Sequence, residues 1–310
     1  MVSFINGTGT PTYQWYQNTV DDTTTGIAIS GATINTYNPI IDTVGTFYYY
    51  VVLTFNSGGC TEIISNTAEI IVNVTPSISS TAILICSGNT FEYFPNAANG
   101  DTVPANIMYS WTNPVVNPVG SINGATDQST PLGTISQFLE NTTINPAIVT
   151  YTVTPVSDDC TGLNFEVVVT VNPSISVAST VMNNTCFESN NAAIEIDLVG
   201  GIPFTTGDFY NINWIGPNGY TSTDEDVFNL EAGTYTLDVL DNGGCPYSET
   251  FTITEPAELT FSFVDFESET ISCFGANDGD INIDVAGGIL PYAYTWTLGG
   301  LPFSTAEDLN

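Results

Sequence analysis

The sequence predicts an all-β chain, a linear tandem array of β-sandwich modules forming a rod. Runs rich in Val, Ile, Thr and Tyr recur from end to end, broken by clusters of Gly, Asn, Asp and Pro, the pattern of short strands and turns. No convincing helix interrupts them: Thr134–Thr143 (TISQFLENTT) is the one candidate, and a short turn fits it better. Tryptophans at 15, 111, 214 and 296 and cysteines at 60, 86, 160, 186, 245 and 273 recur at similar distances. They raise the two or three domains expected for 310 residues to four, 1–75, 76–174, 175–256 and 257–310. At ~3.3 Å per strand residue and some ten residues per strand, each module is about 35–45 Å long and the rod on the order of 150 Å.

The first module carries YQWYQ at Tyr13–Gln17, GTFYYYVVLTF at Gly45–Phe55, Cys60, and a last strand AEIIVNV. Its Tyr48–Tyr50 run reads either as alternate rings facing a core or as a sugar-stacking platform. The second opens with ILICSGNTFEY, carries YSWTNP at Tyr109–Pro114 and closes with TYTVTPVSDDC and FEVVVTVNP. The junctions NVTPSIS and VNPSIS are alike, and a Pro with so few residues around it argues for a stiff joint. In the third, Ile194, Ile196 and Leu198 alternate with Glu195 and Asp197 before Gly200–Gly201. In the fourth, Ile281, Ile283 and Val285 alternate with Asn282 and Asp284 before Gly287–Gly288. This is the period of a half-buried strand leading into a glycine turn. One Trp at an equivalent place in each module points to core packing rather than ligand binding.

The residues of the last two modules resemble the SprB repeat, a β-module found in tandem in very large adhesins of gliding Bacteroidota. The matching positions are Cys273, Gly275, Gly279, Ile281, Ile283, Gly287, Gly288, Pro291, Tyr292, Tyr294 and Trp296. In the third module they are Cys186, Ile194, Ile196, Gly200, Gly201, Trp214, Gly233, Tyr235, Asp241, Gly244 and Cys245. Glu188 and Ala192 stand where the repeat usually has glycine, and the likeness runs from Val177 to Asn310. The first module, with Trp on an early strand and a Tyr-rich strand leading to a Cys, resembles bacterial immunoglobulin-like modules. The second resembles the PKD-like modules of such arrays.

Composition removes whole classes of function. There is no Lys, Arg or His against 33 Asp and Glu, a formal net charge of −33. Nothing can neutralise phosphates, so nucleic-acid binding is not expected, and anionic membranes repel the chain. Without His there is no Ser/His/Asp or Cys/His arrangement, and without Lys no Schiff base. Carboxylates must be solvated, held by backbone N–H groups or bound to cations. No run reaches the ~18 apolar residues of a membrane span, so no direct insertion is expected. Met1 is followed by VSFINGTGTP, without the basic and apolar regions of a signal peptide, so the sequence reads as an excerpt of something longer.

Six cysteines allow 15 connectivities, among which only the module logic chooses. Cys86, Cys186 and Cys273 open modules, whereas Cys60, Cys160 and Cys245 follow the turns SGGC, SDDC and NGGC near module ends. Pairing opener with closer gives Cys86–Cys160 and Cys186–Cys245, each worth roughly 4 kcal/mol in an oxidising compartment. Cys60 and Cys273 are then left unpaired by truncation of both end modules. Buried free thiols in a cytosolic protein are the competing reading.

Carboxylate pairs in loops are the candidate calcium ligands: Asp158 with Asp159, Asp224 with Asp226, and Asp278 with Asp280. None fits the twelve-residue calcium loop, and such residues also serve turns. Apart from this structural calcium no cofactor is expected. Nothing marks two carboxylates as a facing acid pair, so no enzyme is expected. Thr23, Thr43 and Thr102 each follow Asp in short Asp-Thr motifs, which the resemblance makes candidate O-glycosylation sites.

The resemblance implies a non-catalytic excerpt of a large secreted cell-surface adhesin filament, extracellular and attached to the outer membrane, serving attachment and gliding motility. Its partners would be neighbouring modules of the same long chain, the outer-membrane export and motility machinery, and a surface or polysaccharide ligand. The alternatives are polysaccharide-binding accessory modules of a secreted hydrolase, or a passive surface stalk or coat.

Overall fold

The computed structural model describes residues 10–55, 62–264 and 271–309. Among them there is no α-helix, and the chain is built from strands and turns throughout. In the first module β1 (Pro11–Asn18), β2 (Ile27–Ala28), β3 (Gly45–Phe55), β4 (Glu62–Ile64) and β5 (Ala68–Val72) form one antiparallel sheet around β3. Alternation along β3 buries Phe47, Tyr49, Val51 and Leu53 on one face. Tyr50 is buried too, on the opposite face, where it stacks on Tyr16 with ring centroids 5.0 Å apart. Gly26 makes room for it, since a Cβ there would lie 2.5 Å from the Tyr50 ring. The Tyr run therefore packs on both faces of the sheet, beyond the simple alternation of the core reading.

The second module comprises β6 (Thr81–Cys86), β7 (Asn89–Tyr93), β8 (Ile107–Trp111), β9 (Val115–Asn117), β10 (Ile122–Asn123), β11 (Gln128–Leu132), β12 (Ile135–Asn141), β13 (Ala147–Ser157), β14 (Cys160–Thr161) and β15 (Phe165–Asn172). Sheet β10-β12-β7 faces sheet β11-β8-β13-β15-β6 across a core that includes Phe91, Trp111, Ile135, Leu139, Tyr151 and Val167. The Thr134–Thr143 stretch is β12, a strand and neither turn nor helix. Ile135 and Leu139 are fully buried and its register runs from Ile135 opposite Tyr93 to Leu139 opposite Asn89. Cross-strand pairing and burial outweigh its helix-like Ile135, Phe138, Leu139 spacing. The first strand, β6, runs parallel to the last, β15, and sets Cys86 beside Asn172.

The third module comprises β16 (Ile175–Met182), β17 (Ala192–Gly200), β18 (Asn211–Ile215), β19 (Thr221–Ser222), β20 (Val227–Leu230), β21 (Gly233–Leu240) and β22 (Pro246–Ile253). Sheet β16-β17-β20 packs on sheet β19-β18-β21-β22 around Trp214, which is fully buried and lies 5.5 Å from Phe251. The Tyr235 hydroxyl donates back to the Glu231 carbonyl, the tyrosine corner of immunoglobulin-like sandwiches. The fourth has β23 (Thr260–Val264) paired with β24 (Asn282–Ala286), and β25 (Trp296–Leu298) with β26 (Leu301–Ser304). No described residue from Thr254 to Leu309 is buried. The described residues of this module contain no counterparts of β21 and β22 to cover Phe261, Phe263 and Leu298.

One hydrogen bond recurs in every module. The Trp indole N–H donates to a backbone carbonyl 10 to 19 residues downstream: Trp15 to Ile34, Trp111 to Thr126, Trp214 to Asp224 and Trp296 to Ala306. A half-buried or buried indole has only this one polar atom to satisfy, and each loop after the Trp strand supplies the acceptor.

Candidate functional site at the joint between the second and third modules

The joint is assembled from the ends of four segments. β15 ends at Asn172, and only Pro173 and Ser174 separate it from β16. Ile175 then enters the core of the third module as Ile78 enters that of the second, both after the same Pro-Ser-Ile sequence. Cys86 comes to this end because β6 runs parallel to β15. Cys245 comes to it because the turn between β21 and β22 folds toward Asn172.

The sulfurs of Cys86 and Cys245 are bonded, with Cα atoms 5.5 Å apart and a sequence separation of 159. This corrects the pairing expected from module logic: Cys160 and Cys186 are free, as is Cys273. The reason is geometric. Opener and closer of one module lie at opposite ends of its strands. The eight residues of β15 separate Cys86 from the Cys160 turn by roughly 25 Å, and the eight of β22 separate Cys245 from the Cys186 loop by as much. A disulfide needs Cα atoms within about 7 Å. Cys186 follows Asn184, whose N–H bonds the Thr254 carbonyl beyond β22, and Cys160 sits 3.9 Å from the Asn73 carbonyl at the far end of the second module. Cys60 lies outside the described residues.

Around the bridge the polar groups are fully engaged. Asp241 is 2% exposed, and in a chain without cationic side chains its carboxylate is held by backbone alone: the Cys245 N–H at 2.7 Å and the Ile202 N–H at 2.6 Å. Asn172 is equally buried, and its amide lies 3.9 Å from the Cys245 sulfur. Gly243 passes so close that a Cβ would stand 2.4 Å from that amide. Tyr210 donates to the Gly200 carbonyl at 2.7 Å, and burial, aided by the Asp241 charge, raises its phenol above the usual value. Sequence reasoning did not assign Asn172 or Gly243 a role. The signal available was the Asn-Pro junction and the short NGGC turn.

The expected ligand sets do not converge on this joint. Asp158 and Asp159 are exposed at the β13–β14 turn, where Asn106 donates to Asp158. Asp224 accepts from Ser222, and Asp226 accepts the Ile196 N–H at 2.9 Å. Asp278 takes the Ser272 N–H, and hydrogen bonds from Ser272 hold its carboxyl below the usual value. Asp280 accepts from Asn282. Among the described residues no three acidic or thiol side chains come together as metal ligands. Thr43 and Thr102 are exposed and Thr23 half-buried. Asp101, before Thr102, is a buried acceptor for the N–H groups of Ser79 and Asn96.

The third and fourth modules share their local chemistry. In each, a glycine pair is left-handed, Gly200 and Gly201 at φ 81° and 60°, Gly287 and Gly288 at 79° and 61°. In each, a Tyr hydroxyl (Tyr210, Tyr292) bonds the carbonyl of the first glycine, and an Asp (Asp226, Asp308) caps the central strand N–H of Ile196 or Ile283.

Comparison with known proteins finds two families along the chain. The SprB repeat family matches residues 267–301 and the PKD-like domain family residues 85–175. No curated protein is significantly similar in sequence. Among solved structures, the eight N-terminal immunoglobulin domains of Down syndrome cell adhesion molecule align with 97% of this chain at 12% identity and a TM-score of 0.40. The chain spans 40% of that molecule's length. Sidekick-1 immunoglobulin domains 1–5 align with 94% of it at 13% identity and a TM-score of 0.23, the chain covering 62% of their length. The chain is thus all-β, with a PKD-like domain over residues 85–175 and an SprB repeat over residues 267–301. Such modules suggest a cell-surface adhesin-type protein and are typically non-catalytic.

Proposed function

We propose that this chain is a non-catalytic, load-bearing stretch of a large secreted adhesin filament, held at the outer membrane, that mediates attachment and gliding motility. The observation that carries the reading is the SprB repeat at 267–301, set in tandem with a PKD-like domain. Its partners on this reading are neighbouring modules of the same long chain, the export and motility machinery of the outer membrane, and a surface or polysaccharide ligand. A two-residue joint between the second and third modules, closed by a covalent bridge, suits a spacer that transmits tension.

The test uses an antibody against this segment on intact cells of the source, before and after external proteinase K, since trypsin has no Lys or Arg to cut. A protease-sensitive surface signal is expected, with attachment and movement lost when the segment is deleted in frame. A signal confined to the cell interior, or a deletion that leaves both behaviours unchanged, overturns the reading.

A further inference from the structure

We propose that the Cys86–Cys245 bridge is a mechanical bypass that shields the second and third modules from tension applied along the chain. The inference concerns the fold itself and stands whatever the chain's ends are attached to.

The bridge closes a loop that holds every strand of the second module except β6 and every strand of the third except β22. Those two excluded strands are both at sheet edges, β6 beside β15 alone and β22 beside β21 alone. β6 ends at Cys86, and β22 begins at Pro246, the residue after Cys245. Tension entering from the first module therefore runs down β6, crosses the sulfur–sulfur bond and leaves along β22. The nine strands β7–β15, the Pro173–Ser174 linker and the six strands β16–β21 lie off that line. Pulling can peel β6 from six register partners and β22 from eight, and then meets a covalent stop.

Without the bond the same pull passes through the linker and unravels both cores. At ~3.5 Å per extended residue, the sequence separation of 159 between the cysteines then adds roughly 550 Å of chain, against 5.5 Å across the bridge. The joint is therefore also redox-gated: reduction breaks the sulfur–sulfur bond and leaves two protonated thiols, while two equivalents of a thiol reductant become a disulfide or a phosphine with one water becomes its oxide, and a short link becomes a long extensible one.

Single-molecule force–extension of the full 310-residue chain, held by tags at both termini, tests this. The oxidised chain is expected to reach a contour length roughly 550 Å shorter than the same folded chain after addition of a phosphine reductant. Cys86→Ser is expected to behave like the reduced protein and Cys160→Ser like the oxidised one. Reduction of the already folded wild type serves if Cys86→Ser does not fold. Equal contour lengths with and without reductant overturn the proposal, as does alkylation of Cys86 in the native, unreduced chain. Loss of the surface reading alone leaves the bypass intact, because this measurement uses no cell.

Discussion

Replacing Asp241 by Ala isolates what a buried carboxylate does in a chain that has no cation to pair with it. The side chain is 2% exposed and accepts the N–H groups of Ile202 and Cys245 at 2.6 and 2.7 Å. Alanine leaves both donors buried without an acceptor, at about 1–3 kcal/mol each, so the third module should lose roughly 3–5 kcal/mol. For a unit of this size each kcal/mol moves the midpoint by about 4–8 °C, so its calorimetric transition should fall by at least ~12 °C. Asparagine keeps an acceptor toward one N–H and turns an NH2 toward the other, and its loss should be intermediate. Hydrogen exchange resolved to peptides covering Ile202 and Cys245 should show protection falling there first. A shift of less than ~4 °C, with both amides still protected, would mean that the carboxylate is not what satisfies them, and the account of the joint would fail.

Three further outcomes are expected. Gly200→Ala places a methyl 2.3 Å from the Ser174 carbonyl at a left-handed φ and should cost roughly 2–4 kcal/mol in urea unfolding. Gly244→Ala, at a similar φ but with open space, should cost about 1 kcal/mol, and equal costs would refute the close-approach argument. Burial pushes the Tyr109 phenol up to about 12, above its unfolded value near 10, so its neutral form stabilises the second module fully below pH ~10 and that contribution is lost as pH rises toward 12. Phenolate absorbance should then appear partly in step with unfolding, and simple ionisation of all 15 tyrosines near 10 in a still-folded chain would contradict it. Gln137 accepts the Tyr151 hydroxyl at 2.8 Å and donates to the Thr126 carbonyl that also receives Trp111, so Gln137→Leu should destabilise by about 1–3 kcal/mol and change the near-UV circular dichroism of both rings. An unchanged spectrum and midpoint would remove the network from the stability argument.

The strands of the last two modules were legible because Ile194 with Ile196, and Ile281 with Ile283, alternate cleanly and end at glycine pairs whose turn only glycine adopts easily. β12 was not, because Ile135, Phe138 and Leu139 imitate a helical stripe, and only the partners Asn89–Tyr93, more than forty residues upstream, decide otherwise. The bridge was not legible either. Spacing distinguishes openers from closers but carries no information on which end of a module each occupies. That depends on β6 running parallel to β15, a long-range pairing that leaves no local periodicity. Asp241 was visible as a residue of the repeat, but its role required knowing that the turn after β21 bends back over Ile202.

The same arrangement has a consequence in terms of symmetry. Cys86 and Cys186 face the downstream end of their modules, whereas Cys160 and Cys245 lie toward the upstream end, so the two ends of a module are chemically unlike. A contact joining unlike ends is heterologous: it is not self-complementary as a two-fold contact is, and its repetition extends a line with one direction unless the rotation per step closes it into a ring. Direction along the array is thus written into each module, and reach is set by how many are strung together.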